Sequence, residues 1–183
     1  LARFPGATVI GDVPGGVTAQ YVLNPYRWPG QSTTWRYNSS GKPAGLGGED
    51  TALKNAAAAW RNAGVNFSLD FGGATTDNTA GCSNQTDGRN TVGWAPQDGN
   101  TLAVTCTWYD GSRVASEFDM QIDPAWDWTT SDSPIRVDLQ SVTTHEFGHA
   151  IGLAHSNDSS AVMWSSYRNG ANKRTLEADD IAG

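Results

Sequence analysis

Histidine and cysteine are scarce in this sequence of 183 residues, which holds three histidines and two cysteines. Lysine is also rare, and no apolar run approaches the roughly 18 residues that a membrane-spanning helix needs. Acidic residues outnumber basic ones, so the net charge is -7 and the isoelectric point is near 4.7. We therefore expect no membrane partner, and neither nucleic acid nor an anionic membrane surface as a binding partner.

The length is that of one domain, and no internal repeat or second domain is evident, so residues 1–183 are expected to form a single domain. The chain begins without an initiator methionine and without the shape of a signal peptide, which predicts a processed, mature chain. Glycine, serine, threonine, asparagine and tryptophan are abundant, a composition common among secreted, loop-rich proteins. We expect a secreted, extracellular protein that acts as a monomer.

All three histidines fall within residues 145–155, which read His-Glu-Phe-Gly-His-Ala-Ile-Gly-Leu-Ala-His. His145 and His149 are four residues apart, a spacing that places them on one face of a helix, where two imidazoles can bind one zinc ion. Gly152 tolerates the backbone angles of a sharp turn and can end the helix, so that His155 returns as a third ligand. Three protein ligands leave a position for water, which is typical of a catalytic zinc site.

Glu146 follows His145 and lies about 100° round the helix from it, which lets its carboxylate reach a water at the metal without being a ligand. The alternative is that these residues are ordinary helix residues. The five-residue core of the motif does occur by chance, but the long form with a glycine and a third histidine in register almost never does.

This stretch resembles the zinc signature of the metzincin metalloproteases and, within them, of the matrixins, the branch of the matrix metalloproteinases. Met163 lies eight residues after His155, the interval at which matrixins carry a methionine-containing turn. Residues 176–183, Leu-Glu-Ala-Asp-Asp-Ile-Ala-Gly, are similar to the start of the matrixin C-terminal helix. The chain is thus identified as a matrixin-like zinc metalloprotease, a bacterial-type relative of the matrix metalloproteinase catalytic domain.

The resemblance implies an α+β fold with a twisted, mostly parallel sheet of about five strands and an antiparallel edge strand. It further implies a backing helix, an active-site helix, and a small C-terminal subdomain with the methionine turn and a last helix. The upper subdomain would comprise residues 1–152 and the lower one residues 153–183.

Local patterns in the chain agree with this order of elements. Helical spacing of apolar residues predicts a helix that begins near Gly48 and ends at Gly64, in which Trp60 belongs to the core. Residues 1–33 are expected to form an extended segment over the surface, and Leu139 to open the zinc helix. Alternation of apolar and polar residues predicts strands over residues 33–38, 66–71, 91–94, 100–109 and 116–123, with loops at 72–90 and 124–134.

The function implied by the resemblance is that of a secreted endopeptidase that binds an extended protein or peptide substrate in a cleft. One zinc ion on His145, His149 and His155 would lower the pKa of a water from about 15.7 toward about 7. Glu146 would accept that water's proton and pass it to the leaving amine. Two alternatives stay open: a binding module of the same fold without turnover, and hydrolysis of a non-peptide amide.

Two groups of substrate-binding residues carry over from the family. Ala103 and Val104 lie where matrixins have the edge strand that binds substrate through main-chain hydrogen bonds, although ordinary strand packing would explain them equally well. Tyr167 matches the tyrosine of the segment that forms a wall of the main specificity pocket, with Ser165 where the family has proline.

Met163, Asp179 and Asp180 carry over as structural residues. Met163 would form an apolar floor below the metal. In the family one acid of the pair binds the mature N-terminal ammonium, and here Leu1 stands in place of the usual aromatic residue. The alternative for both acids is that they are residues of a first helical turn, which the helix dipole favours there.

Cys82 and Cys106 are expected to form a disulfide that ties the loop at 72–90 to the edge strand, with two free buried thiols as the alternative.

A second zinc is not expected, because Gln121 stands where matrix metalloproteinases carry a histidine of their structural zinc site. Calcium is expected as a structural ion from the family's habit and from acids in oxygen-rich loops, namely Asp77, Asp87, Asp98, Asp110, Asp123 and Asp127.

Overall fold

The computed structural model describes residues 2–3, 21–79 and 86–183, with the backbone alone for the first of these ranges. No helix within the described residues is long and apolar enough to cross a membrane. The elements in these ranges are the strands β1 (Ala2–Arg3), β2 (Ser32–Tyr37), β3 (Ser68–Ala74), β4 (Asn90–Trp94), β5 (Ala103–Tyr109), β6 (Ala115–Ile122), β7 (Trp128–Thr129), β8 (Val137–Asp138) and β9 (Ser166–Tyr167), and the helices α1 (Glu49–Asn62), α2 (Leu139–Ile151) and α3 (Ala178–Ala182).

The main sheet has five strands in the order β3-β2-β4-β6-β5. The pairs β2–β3, β2–β4 and β4–β6 are parallel, and only the edge strand β5 runs antiparallel to its neighbour β6. This arrangement confirms the expected α+β fold with a mostly parallel sheet and an antiparallel edge strand. Of the parallel strands, β4 and β6 are mostly buried, whereas β2 and β3 include exposed positions.

The predicted loop at residues 124–134 is wrong in one respect, because β7 lies within it and pairs in parallel with β8. Trp128 explains the local order: its side chain is buried, and its indole N–H donates to the carbonyl oxygen of Asp123 at 2.7 Å. A two-residue strand is too short to show the alternation of apolar and polar residues by which strands are recognised in a sequence.

The helix α1 packs against the sheet and α2 through the apolar face that its spacing predicts, with Leu53, Ala56 and Trp60 buried. Trp60 also donates its indole N–H to the backbone oxygen of Thr144 at 3.0 Å. This bond satisfies the one polar atom of a fully buried tryptophan, and it fixes the distance between α1 and the middle of α2.

The helix α2 is buried on nearly every face, since ten of its thirteen residues have little exposure. Asp138 is its N-cap and accepts from the backbone N–H of Ser141 at 2.8 Å. Gly148 lies at its closest packing point: a Cβ there would overlap Sδ of Met163 and lie 2.6 Å from the Trp60 ring. The glycine inside the histidine motif is therefore required by packing.

The segment from Tyr21 to Trp28 packs against the C-terminal end of α2, where the helix leaves backbone carbonyls without helical partners. The backbone N–H of Asn24 donates to the oxygen of Gly152 at 2.7 Å, and the indole of Trp28 donates to that of Ala150 at 2.8 Å. The hydroxyl of Tyr26 donates to the backbone oxygen of His149. The segment thus completes the end of the helix that carries the histidines.

Candidate metal centre and active site

The three histidines of the motif converge on one point. Nε2 of His149 lies 3.1 Å from Nε2 of His145 and 3.3 Å from Nε2 of His155. Within the described parts of the chain, these residues are the one group of three or more His, Cys, Asp or Glu whose ligand atoms lie within 4.8 Å of one another. Zinc bonds of about 2.0–2.1 Å in a tetrahedron place ligand nitrogens about 3.3 Å apart, so the triad fits a zinc site.

The hydrogen bonds of the rings fix which nitrogen carries the proton. Nδ1 of His145 lies 2.7 Å from the carbonyl oxygen of Val162, and Nδ1 of His149 lies 2.8 Å from that of Leu153. A carbonyl only accepts, so each Nδ1 must be the donor and each Nε2 presents a lone pair. Two lone pairs therefore face each other at 3.1 Å, an arrangement that a cation between them would stabilise.

Burial keeps the imidazoles neutral, as ligands to a metal must be. Desolvation lowers the pKa of His149 and of His155 to about 4, and it lowers the pKa of His145 well below its usual value. Near neutral pH, protons therefore do not compete with a metal ion for the three Nε2 atoms.

The backbone after α2 brings His155 back to the other two rings. Gly152 has a φ of 122°, in the region that favours glycine, and it ends the helix. Its N–H donates to the oxygens of Gly148 and His149, and Leu153 N–H also donates to Gly148. The turn is therefore closed by the helix itself, and His155 follows three residues later.

Asp180 holds the turn beneath the metal centre. Its two carboxylate oxygens accept from the backbone N–H groups of Val162 and Met163, both at 2.9 Å, and it is buried. It also accepts from the N–H of Glu177 at 2.9 Å. Because the carbonyl of Val162 binds Nδ1 of His145, Asp180 orients a histidine through the turn that contains the buried Met163.

Asp179 ties the N-terminal segment to the chain directly after His155. Its carboxylate accepts from the backbone N–H of Tyr21 at 3.0 Å and from the hydroxyl of Ser156 at 2.5 Å. Leu1 lies outside the described residues, so the contact of an N-terminal ammonium with one acid of this pair, which the family resemblance implies, stays a prediction.

Glu146 is fully buried beside the histidines. Burial raises the pKa of its carboxyl group to about 8, against the opposing effect of a hydrogen bond from Thr105. The hydroxyl of Thr105 donates to Oε2 at 2.8 Å, whereas Oε1 is buried and has no hydrogen-bond partner among the residues that the structure describes. One carboxylate oxygen is thus held and the other is free.

Thr105 was not predicted as a site residue. The strand β5 was expected to form the rim of a cleft. Side chains alternate between the two faces of a strand, so this alternation could have shown that Thr105 lies on the face opposite Val104. Asn24, Tyr26 and Trp28 were also missed, because nothing in their local sequence indicates contact with residues more than 120 positions away.

The predicted substrate-binding residues occupy different environments. Ala103 is buried and Val104 half-buried at the start of the edge strand β5, paired with Ile122 and Gln121. Tyr167 is only 7 % exposed, and its hydroxyl donates to the oxygen of Ala171 at 2.6 Å while accepting from the N–H of Asp138 at 3.1 Å. It thus connects the start of α2 to the chain beyond β9, and its role as a pocket wall stays a prediction.

Gln121 takes part in an amide network on β6. It donates to the hydroxyl of Thr79 at 2.9 Å, and its side-chain oxygen accepts from Gln97 at 3.1 Å.

The two cysteines differ in what the structure describes. Cys106 lies on β5, whereas Cys82 falls outside the described residues. No cysteine among the described residues is free.

The acids expected near calcium bind local partners within the described chain. Asp77 and Asp127 pair with Arg89 and Arg136, respectively. The carboxylates of the others, where their contacts are described, accept from backbone N–H groups two to four residues further on, as in Asp87, Asp110 and Asp123. In the described ranges they form no cluster of three ligand atoms.

Comparison with known proteins decides the family. The matrixin family model, Peptidase_M10, matches residues 27–183. This chain belongs to the matrixin family. Residues of this matrixin are 31% identical over 166 positions to karilysin of Tannerella forsythia, covering 87% of this chain and 33% of karilysin.

Two further relatives match over shorter stretches. Human matrilysin is 35% identical over 86 residues, which is 46% of this chain and 30% of that protein. Metalloendoproteinase 1-MMP of Arabidopsis thaliana is 45% identical over 69 residues, which is 35% of this chain and 19% of that protein. The matched part of the matrixin thus spans a third or less of each of these curated relatives.

Replacing Asp180 by alanine should destabilise the matrixin by about 3 kcal/mol or more, because three backbone N–H groups lose a buried, charged acceptor. Zinc affinity should fall too, since the Val162 carbonyl would no longer be held against His145. Urea unfolding and chelator competition measure the two effects. Asp70→Ala, at an exposed acid, is the control and should change stability by less than about 0.5 kcal/mol. Equal stability of the two variants would contradict the anchoring role.

Proposed function

We propose that this matrixin is a secreted, monomeric, zinc-dependent endopeptidase that hydrolyses peptide bonds of protein substrates. The observation that carries the proposal is the convergence of the Nε2 atoms of three histidines, two of them held unprotonated by the hydrogen bonds of Nδ1, beside a buried carboxylate whose Oε1 has no hydrogen-bond partner among the described residues. A metal-free binding module would gain nothing from facing lone pairs, which raise the energy of the folded chain unless a cation lies between them.

His145, His149 and His155 would hold one zinc ion, and no further histidine exists in the sequence for a second site of the same kind. When bound there, zinc lowers the pKa of a water and polarises the carbonyl of the scissile bond. The hydrogen bonds of His145 and His149 to backbone carbonyls keep Nδ1 protonated and Nε2 directed at the ion.

Glu146 is the proton carrier of the proposed reaction. Oε1, which has no hydrogen-bond partner among the described residues, accepts a proton from the attacking water as its oxygen bonds to the carbonyl carbon. The same oxygen then gives this proton to the nitrogen of the leaving amine as the C–N bond breaks. A nearby cation would favour the ionised carboxylate, against the effect of burial on its pKa.

The substrate would lie extended between an upper subdomain, residues 1–152, and a lower one, residues 153–183. The strand β5 supports this placement because it ends the sheet order and is paired on one side by β6. An extended peptide can add to such an edge by main-chain hydrogen bonds, next to Ala103 and Val104. Tyr167 would then support the specificity pocket from behind, through its bonds to Asp138 and Ala171.

Glu146→Gln tests the proposed chemistry. It keeps the shape of the side chain but removes the proton acceptor, so kcat for a denatured protein or peptide-library substrate should fall by about a thousandfold. Zinc content and melting temperature should stay as in the wild type. Glu177→Gln, at an exposed glutamate, is the matched control and should keep full activity. Near-normal turnover by folded, zinc-loaded Glu146→Gln protein would refute the role of Glu146.

A Cys82–Cys106 disulfide would anchor the chain before β4 to the edge strand β5. Closing a loop of this length should stabilise the protein by about 3 kcal/mol. Intact mass after alkylation, with and without reductant, checks the bridge. We expect no alkylation of the native, unreduced chain and two added groups after reduction, and two groups added before reduction would show free thiols.

Structural calcium is proposed from the family resemblance, with ligands drawn in part from backbone oxygens, since the described carboxylates do not cluster. Protein stripped with a calcium-selective chelator should regain several degrees of melting temperature in millimolar calcium. Magnesium at the same concentration is the control, and an unchanged melting temperature in calcium would count against the proposal.

A further inference from the structure

The side chain of Thr105 on β5 contacts the one catalytic carboxylate across the boundary between sheet and helix. We propose that Thr105 is a positioning residue for Glu146: its hydroxyl holds Oε2, so that Oε1 is the oxygen presented to the attacking water. The inference rests on the proposed function, because it assigns a task to a residue that the zinc motif does not contain.

The contact has the geometry of a strong hydrogen bond. Oγ1 of Thr105 lies 2.8 Å from Oε2 of Glu146 and 3.2 Å from the backbone oxygen of the same residue. A hydroxyl has one proton to donate, and the nearer, ionisable carboxylate is the stronger acceptor. Oε1 is left as a buried oxygen whose hydrogen bonding is unsatisfied by the described chain.

The position of the hydroxyl is itself fixed by the sheet. Thr105 is half-buried and pairs with Met120, a fully buried residue of the neighbouring strand β6. Two residues further on, on the same face of β5, the hydroxyl of Thr107 lies 3.1 Å from that of Tyr26, which donates its own proton to the backbone oxygen of His149. Both ends of this strand segment are thus held against α2.

A carboxylate on a flexible side chain can rotate unless something other than the substrate holds it. In a site that depends on alignment of reacting atoms, a small displacement of the acceptor oxygen slows the chemical step more than it weakens substrate binding. Loss of the Thr105 hydroxyl should therefore lower kcat while KM changes little.

Three threonine variants test this assignment. Thr105→Val has nearly the same shape without the hydroxyl and should lower kcat about tenfold, the effect expected for a hydrogen bond to a charged group, with KM within about twofold. Thr105→Ser retains the hydroxyl and should stay within about threefold of the wild-type kcat. Thr91→Val removes a buried hydroxyl that has no hydrogen-bond partner in the described chain, and it should leave kcat unchanged.

A second measurement does not depend on turnover. Crystal structures of the zinc-free variants should show the Glu146 carboxylate in the wild-type position in Thr105→Ser and rotated in Thr105→Val, with equal melting temperatures and equal zinc uptake. If the valine variant does not fold, Thr105→Ala, which also lacks the hydroxyl, is compared with Thr105→Ser in the same way.

Equal kcat values for the hydroxyl-free and serine variants, or an unmoved carboxylate in Thr105→Val, would overturn the inference. The proposed function would survive that result as long as Glu146→Gln abolishes turnover. If Glu146→Gln keeps turnover, the proposed function fails instead, so the two failures are distinguishable.

Discussion

The mutual approach of three imidazole rings, two of which present an unprotonated Nε2, is the constraint on which the rest of this structure depends. Two Nε2 atoms at 3.1 Å cannot form a hydrogen bond to each other while each Nδ1 holds its proton against a backbone carbonyl. Neutral rings forced together in this way carry an energetic cost, which a single cation at their meeting point would offset. Hydrogen bonds to backbone carbonyls hold the rings of His145 and His149 in this orientation.

Several side chains contribute to that restraint by binding backbone groups of α2 or of the chain that follows it. Asp138 caps the first turn of α2, and Asn24 and Trp28 satisfy carbonyls at its other end. Asp180 fixes the turn whose carbonyl at Val162 binds His145. The histidine helix is thereby held at its start, at its end and from below, and its buried position leaves it no freedom to repack.

The same burial governs the acid of the site. Glu146 is enclosed without a cationic side chain among its described hydrogen-bond partners, so its proton affinity is raised and only Thr105 opposes that effect. A proton acceptor of this kind is suited to take a proton and return it within one reaction cycle. The edge strand that would border the substrate thus also contacts the proposed catalytic base.

Local sequence was sufficient where one periodic pattern determined an element. The spacing in α1 predicted its limits closely, and the histidine spacing with Gly152 predicted both the helix and its ending. Contacts between distant segments could not be found in this way. The bonds of Tyr26 to His149 and of Thr105 to Glu146 arise only when the sheet brings β5 and the N-terminal segment to α2. The short strand β7 was missed because two residues carry no period.

Composition gave less guidance for the acids of the loops. An abundance of aspartates suggested a common ion, but those whose contacts are described bind an arginine or the next turn of backbone. Composition alone cannot distinguish a ligand from a turn residue, since the same oxygen atoms serve both purposes.

X-ray diffraction from crystals of the purified protein on both sides of the zinc absorption edge tests the central claim most directly. The account predicts one anomalous peak in each chain, within bonding distance of Nε2 of His145, His149 and His155, and no peak beside Gln121. Absence of the peak at the three histidines in protein supplied with zinc would contradict the claim that they form a metal centre, and a second peak beside Gln121 would contradict the claim of a single zinc ion.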